Sequence, residues 1–368
     1  MKIGYFTPPT FNKQPFSIAS LDQAFGKSFQ YASKGRYCLY HILKSLEVKG
    51  PVLLPVYCCS TVLEPLKRLG LKYFFYDINE SNCNADFESI KAQIDKYRPD
   101  CIVAVSMYGN PCCLVELEQL CRDQHIRLID DAAQSIGAEL NGRRVGTFGD
   151  AGFFSLSPGK PFAGHMGGFF WTSEKYAIKY RKHTLLHWFV FKDFCVNRMN
   201  GAKNEHSPIA KILKRGVSFM LGKTDICYDG FAVFENEIIG GIINDSQTKH
   251  TPLRTELAFM LNKLINSTDY FYQILPANGN EGKGIAHKYV FVCKTANLAD
   301  TLLGFIKNKG IKGQKGYKML TSDFSDLPNA KSLEGRIVEI PLDPSLEACQ
   351  YIADCMNIFI SQTNTSHD

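Results

Sequence analysis

Residues 128–172 read LIDDAAQSIGAELNGRRVGTFGDAGFFSLSPGKPFAGHMGGFFWT, and the rest of the 368-residue chain is read outward from this stretch. Arg127 to Asp131 is a short apolar strand that ends in two carboxylates. Gly152 to Leu156 is a second apolar strand. A Ser/Pro/Gly turn with one lysine, Lys160, follows it, and then the glycine pair Gly167 and Gly168. A lysine crowded into a tight turn behind a buried strand costs desolvation energy. The same desolvation lowers its affinity for a proton, which suits a nucleophilic amine. A carboxylate at the end of a neighbouring strand complements a ring nitrogen that must keep its proton. A Schiff-base lysine and an acid facing a pyridinium nitrogen are the two groups that chemistry with pyridoxal 5'-phosphate (PLP) needs from a protein. Lys160 and Asp131 are therefore the candidate catalytic residues.

The order D-D-A-A-Q-S-x-G-A from Asp130, G-T-F-G-D-A-G-F-F-S-L from Gly146, Lys160 five residues after Ser155, and glycines seven and eight after Lys160 runs without a gap to Gly168. This pattern resembles the DegT/StrS family of PLP-dependent nucleotide-sugar aminotransferases, which are of fold type I and similar to aspartate aminotransferase. The resemblance implies that Lys160 carries the cofactor and that Asp131 faces the pyridinium nitrogen. It also implies that Gln134 lies beside the ring near its phenolic oxygen and that Ser155 contacts the phosphate. The chain departs from the family before the glycine pair, where His165-Met166 replaces the usual Gly-Glu.

Upstream, Ser33-Lys34-Gly35-Arg36 precedes YCLYHILKSLEV, which puts Leu39, Ile42, Leu43 and Leu46 on one helical face. A glycine-bearing turn that opens a helix presents backbone N–H groups and a positive dipole end to a phosphate. The family cradles the PLP phosphate here, which assigns Gly35, Arg36 and Tyr37 to that role; an ordinary capped helix start is the alternative. After the buried strand Val52 to Pro55, VYCCST resembles the family turn whose aromatic ring stacks on PLP. Counting from Pro55 puts Cys59 at that place, and the nearest aromatic is Tyr57. Strands at 72–78 and 101–107 and helices at 86–97 and 113–124 continue the alternation, and Tyr108-Gly109-Asn110-Pro111 resembles the family's Y-G-x-P turn. Alternation from residue 36 to about 172 predicts an α/β fold with a mostly parallel sheet between helices, whose ligands sit beyond the carboxyl ends of the strands.

Downstream, a helix is expected over 173–188. The stretch 185–230 diverges from the family, with an amphipathic helix over 209–220 and Asn197-Arg198 in place of an N-x-R pattern. A long helix over 253–272 leads into a smaller α+β part, with a strand in HKYVFVCK, a helix at 298–309 and the family-like RIVEIPLDPSL. The expected division is a large PLP-binding domain, 1–245, with an arm at 1–30, and a small C-terminal domain, 246–368.

The charge balance is 42 basic against 36 acidic residues, a net +6 with no basic run of five, so a nucleic-acid footprint is not expected. Thirteen cysteines without a C-x-x-C suit buried thiols rather than zinc or a disulfide framework. His183 and His187 stand four apart, but no third ligand accompanies them, so no metal is expected. MKIGYFTPPTFNKQPF has no apolar core of signal-peptide length, and no run approaches about eighteen apolar residues. A cytoplasmic protein without a membrane span is expected.

The family implies an amino transfer in two halves. An amino-acid donor, glutamate in most members, converts PLP to pyridoxamine phosphate (PMP), and the keto group of a nucleotide-activated sugar then takes the amino group. It also implies a homodimer. The segment 185–230 is expected over the mouth of the site, with Trp188, Lys192 and Arg198 toward the acceptor. A PMP-dependent sugar dehydratase is a rival, although those relatives carry His where Lys160 stands. A PLP-binding regulator without turnover is another.

Overall fold

The computed structural model describes residues 1, 3, 18–32, 34–156, 160–161, 167–178, 251–279, 282–343 and 345–365. The readings made for His165, Met166, His183, His187, Trp188, Lys192, Asn197, Arg198 and the 209–220 helix lie outside the described residues.

The strands are β1 (Gln30–Ala32), β2 (Val52–Pro55), β3 (Tyr73–Tyr76), β4 (Cys101–Val105), β5 (Arg127–Asp131), β6 (Glu139–Leu140), β7 (Arg143–Arg144), β8 (Ala151–Ser155), β9 (Gly168–Thr172), β10 (Phe271–Ile274), β11 (Gly282–Lys283), β12 (Tyr289–Cys293), β13 (Gln314–Lys315) and β14 (Ile337–Ile340). The described helices are α1 (Ile18–Phe25), α2 (Gly35–Ser45), α3 (Leu63–Arg68), α4 (Phe87–Tyr97), α5 (Leu114–Asp123), α6 (Thr251–Leu264), α7 (Ala296–Asn308), α8 (Pro328–Leu333) and α9 (Leu346–Thr365). Seven strands form one sheet in the order β1-β9-β8-β5-β4-β2-β3. Every neighbouring pair from β3 to β8 is parallel, and β9 alone runs against the others, paired antiparallel to both β8 and β1. The expected mostly parallel α/β sheet is present.

Apolar runs such as CIVAV leave both faces of these strands buried, as a covered parallel sheet requires. Successive side chains alternate between two cores. Val52, Leu54, Val103, Ile129, Phe153 and Phe170 face α2. Leu53, Ile102, Ala104, Leu128, Phe154 and Phe169 face the other way, onto Leu114 and Leu117 of α5 and Leu21 and Phe25 of α1. The N-terminal arm therefore carries a helix that packs on its own chain. Helix starts follow local chemistry: the Asp86 side chain accepts from Ser89 N at 3.0 Å to open α4, and Thr295 accepts from Leu298 N at 3.1 Å to open α7.

The C-terminal part is an antiparallel sheet, β10-β12-β14-β13, with a core shared by α6, α7 and α9. It is joined to the large sheet by more than chain continuity. Leu327, Ala330, Leu333 and Ile337 belong to the same core as α2, and buried Asp77 accepts from the N–H groups of Asn329 and Ala330, both at 2.8 Å, at the start of α8. Two expected helices are corrected. Residues 173–178 are not helical. The 253–272 helix ends at Leu264, because Asn266-Ser267-Thr268-Asp269 favours turns over helix, and Phe271 begins β10.

Candidate active site

The two adjacent carboxylates at the end of β5 point to opposite faces. Asp131 shares its face with Ile129, toward α2, whereas Asp130 shares that of Leu128. Asp130 is fully buried, and its Oδ2 accepts from Gly146 N at 2.5 Å and Phe148 N at 3.2 Å. Burial pushes its carboxyl up to about 7, against the pull of those two N–H groups. It closes the loop that leads into β8. Asp131 accepts from Ala133 N at 2.9 Å, and burial pushes its carboxyl up to about 6, opposed by that N–H and by the charge of Lys160. Asp131 thus lies within electrostatic reach of the lysine, and Asp130 serves the scaffold.

Lys160 is partly buried in the turn after β8, and burial lowers the proton affinity of its amine. Among the described residues, Cys59, Asp131 and Glu339 favour its charged form and Lys288 opposes it. The next residue, Pro161, gives its carbonyl to Nη1 of buried Arg254 at 3.4 Å, and Nη2 of the same guanidinium donates to the His287 carbonyl at 3.1 Å. Arg254, on α6, therefore ties the lysine turn to the start of β12. No sequence signal singled out Arg254, Lys288 or Glu339.

Gly35 opens α2 against Ser155, the last residue of β8. A Cβ at Gly35 would lie 3.0 Å from Ser155 Cβ and 3.1 Å from its Oγ. Gly168 packs just as closely, since a Cβ there would stand 2.7 Å from Cys38 Sγ and 3.3 Å from Gly35 Cα. The glycines keep the Ser155 hydroxyl beside the N-terminal end of an eleven-residue helix. That donor set and dipole suit a phosphate. The predicted cradle residues Gly35 and Ser155 are thus brought together. Tyr37 is buried in α2 beside Lys34, and the Arg36 guanidinium turns to Glu64 of α3. Gln134 is buried under the Tyr108 turn, where its Oε1 accepts from Tyr108 N at 3.3 Å.

The two candidates for the ring-stacking position separate. Tyr57 is wholly buried, its hydroxyl 2.5 Å from Tyr108 Oη and accepting from Tyr317 N at 3.1 Å. Cys59 is partly exposed, with Sγ 3.1 Å from Thr61 Oγ1, and it is the residue that bears on Lys160. Among the described residues no group of three or more metal-ligating side chains occurs, and no helix is long and apolar enough to cross a membrane.

A buried acid, an amine of lowered basicity and a hydroxyl at a helix N-terminus match the ring nitrogen, carbonyl carbon and phosphate of PLP. Comparison with known proteins agrees. The model of the DegT/DnrJ/EryC1/StrS aminotransferase family matches residues 32–205, and over this stretch the chain is similar to that family. The solved structures it resembles are PLP aminotransferases of fold type I, and the chain has their fold. GDP-perosamine synthase from Escherichia coli O157:H7 is 24% identical over 348 residues, 90% of this chain and 86% of that protein. The match to GDP-perosamine synthase from Vibrio cholerae is 29% identical and spans 37% of each chain. GDP-4-keto-6-deoxy-D-mannose 3-dehydratase from Yersinia pseudotuberculosis is 34% identical over 28% of this chain and 26% of its own length. Among solved structures, a DegT DnrJ EryC1 StrS aminotransferase from Brucella abortus superposes with a TM-score of 0.70 at 18% identity, covering 93% of this chain and 88% of its own. PseC from Helicobacter pylori, an aminotransferase of pseudoaminic acid biosynthesis, has a TM-score of 0.71 at 16% identity, covering 98% and 100%.

Proposed function

We propose that this protein transfers the amino group of an amino acid, glutamate being the expected donor, to a keto group of a nucleotide-activated sugar. The observation that carries the reading is the placement of Lys160 within electrostatic reach of Asp131, with the Gly35–Ser155 contact completing the set at the same strand ends. The names of the perosamine synthases support a nucleotide-sugar acceptor. PLP, when bound, supplies the electron sink that stabilises charge at the donor's Cα.

The chain supplies the rest. Asp131, ionised beside a cationic ring nitrogen, holds the proton there. The Nζ of Lys160, desolvated and therefore readily neutral, takes a proton and returns it to a neighbouring carbon. Ser155 and the first N–H groups of α2 hold the phosphate. Residues from a second copy of the chain complete the site in a homodimer, and the setting is cytoplasmic. Lys160 favours amino transfer over the dehydratase reading.

The test has two stages. Borohydride reduction of the yellow protein should fix the cofactor on Lys160, located by mass spectrometry. Glutamate should then release 2-oxoglutarate, and the loaded protein should aminate one of a panel of keto-sugar nucleotides. A bound cofactor that no amino acid changes would favour a regulator instead. Loss of the sugar C3 hydroxyl without amine incorporation would favour the dehydratase.

A further inference from the structure

Glu339 of β14 is almost completely buried and holds three donors. Its Oε1 accepts from Tyr108 Oη at 2.7 Å, and its Oε2 accepts from Gln314 Nε2 at 2.7 Å and from Lys288 Nζ. The chain of donors continues without a break. Tyr317 N–H donates to Tyr57 Oη, Tyr57 lies 2.5 Å from Tyr108 Oη, and Tyr108 donates to the carboxylate. Each hydroxyl gives one proton and receives one, so the direction is fixed from the amide to the acid. Tyr57 and Tyr108 follow strands β2 and β4 of the large sheet, whereas Gln314, Tyr317 and Glu339 belong to the C-terminal part. Lys288, nearly buried itself, sits one residue after His287, whose carbonyl shares the Arg254 guanidinium with Pro161. The Lys288–Glu339 pair is therefore anchored to the lysine turn through one rigid fork.

Stability does not account for this pair. A buried ion pair is commonly no better than apolar residues of the same shape, while one charge left alone is strongly unfavourable. Its tie to the lysine turn through the Arg254 fork offers another account. We propose that Lys288 and Glu339 are positioning residues for Lys160: an ion pair, locked by Tyr108 and Gln314, that sets the field in which the Lys160 amine takes up and gives up its proton. The inference rests on the reading of Lys160 as the working amine. Among the described residues, the charged and titratable groups that bear on Lys160 are Cys59 after β2, Asp131 of β5, Lys288 before β12 and Glu339 of β14, while the Cys58 thiol, also coupled to it, is held protonated by burial. His287, held neutral by burial and by the cations around it, adds no charge. Lys288 and Glu339 act on the amine in opposite senses, so their removal has opposite consequences.

The full-length chain, stripped of PLP, is labelled with trace acetic anhydride across a pH series, and acetylation of Lys160 is followed by peptide mass spectrometry. Lys288→Gln should raise the pH at which Lys160 becomes reactive, lowering its labelling at least threefold at a fixed pH below the midpoint. Glu339→Gln should lower that pH and raise labelling at least threefold. The paired Lys288→Met/Glu339→Leu variant, which leaves no buried charge alone, should return labelling to near the parent value. If Glu339→Gln does not fold, Lys288→Gln and the paired variant carry the test. Equal labelling in all variants, or shifts in one direction for both single changes, would overturn the proposal by reducing the pair to a structural contact. Borohydride mapping of the PLP-bound parent answers separately. An adduct on another lysine would remove Lys160 as the working amine whatever the labelling shows.

Discussion

Asp130→Asn separates the two neighbouring carboxylates by measurement. Burial raises Asp130 from the ordinary aspartate value of 3.8 to about 7. The folded state thus binds a proton there more tightly than the unfolded chain does. Between about pH 4 and 7 the native protein holds more protons, so its stability falls as pH rises and is lowest above the folded value. A shift of about three units at ~1.4 kcal/mol per unit makes the loss on the order of 4 kcal/mol as an upper bound. Asparagine keeps an oxygen for Gly146 N and Phe148 N, both of which bond the same Oδ2, and it removes the ionisation. The variant should therefore gain on the parent steadily from pH 4 to pH 8 and then level off. The assay is urea unfolding at one-unit pH intervals, followed by tryptophan fluorescence, with the variant-minus-parent difference plotted against pH. A flat difference, or a variant that loses ground as pH rises, would refute the reasoning. The same variant should keep cofactor fixation on Lys160.

Asp131→Asn should fold as well as the parent yet lose turnover by on the order of 100-fold or more, read in the glutamate half-reaction, because a preorganised charge is gone from the reacting ring. Gly35→Val should weaken PLP binding at least ~10-fold, or about 1.4 kcal/mol, in an absorbance titration, because its methyls meet the Ser155 hydroxyl. Gly109→Ala should cost about 3 kcal/mol or more in a urea melt, since φ there is +90° and a Cβ would run into the Ile285 carbonyl. Tyr57→Phe should cost about 1–3 kcal/mol by the same measurement, because the part-buried Tyr317 N–H and the buried Tyr108 hydroxyl lose their shared partner.

The sheet was legible because its evidence is local. Runs such as VLLP and CIVAV have one reading between turn residues, and the observed β2 and β5 bounds match those read from sequence. Asp131 and Lys160 stand out in the sequence because a carboxylate pair at a strand end and a lysine in a tight turn are chemically costly choices. Periodicity also separates Asp130 from Asp131 once β5 is placed, since adjacent residues must face opposite ways. The C-terminal end of α6 was misread because apolar residues at 270–272 extend a helical spacing across a polar break. Tertiary pairing with β12, at Phe271↔Cys293, settles those residues as strand.

What sequence could not disclose is partnership across the chain. Tyr108 and Glu339 are 231 residues apart and Tyr57 and Tyr317 are 260 apart, so no window connects them. In RIVEIPL, Glu339 has the look of an outward polar residue in an alternating strand, yet both neighbours and Glu339 itself are buried. Only a second layer over that face makes the carboxylate internal, and that layer is the Tyr57–Tyr108 turn region of the large sheet. The same contact buries Tyr57, the aromatic nearest the expected stacking position. Its hydroxyl is committed to joining the two halves, which leaves Cys59 to line the lysine's side of the turn. The burial of Tyr57 and the burial of Glu339 are thus two results of one packing arrangement, in which hydrogen bonds run between the halves.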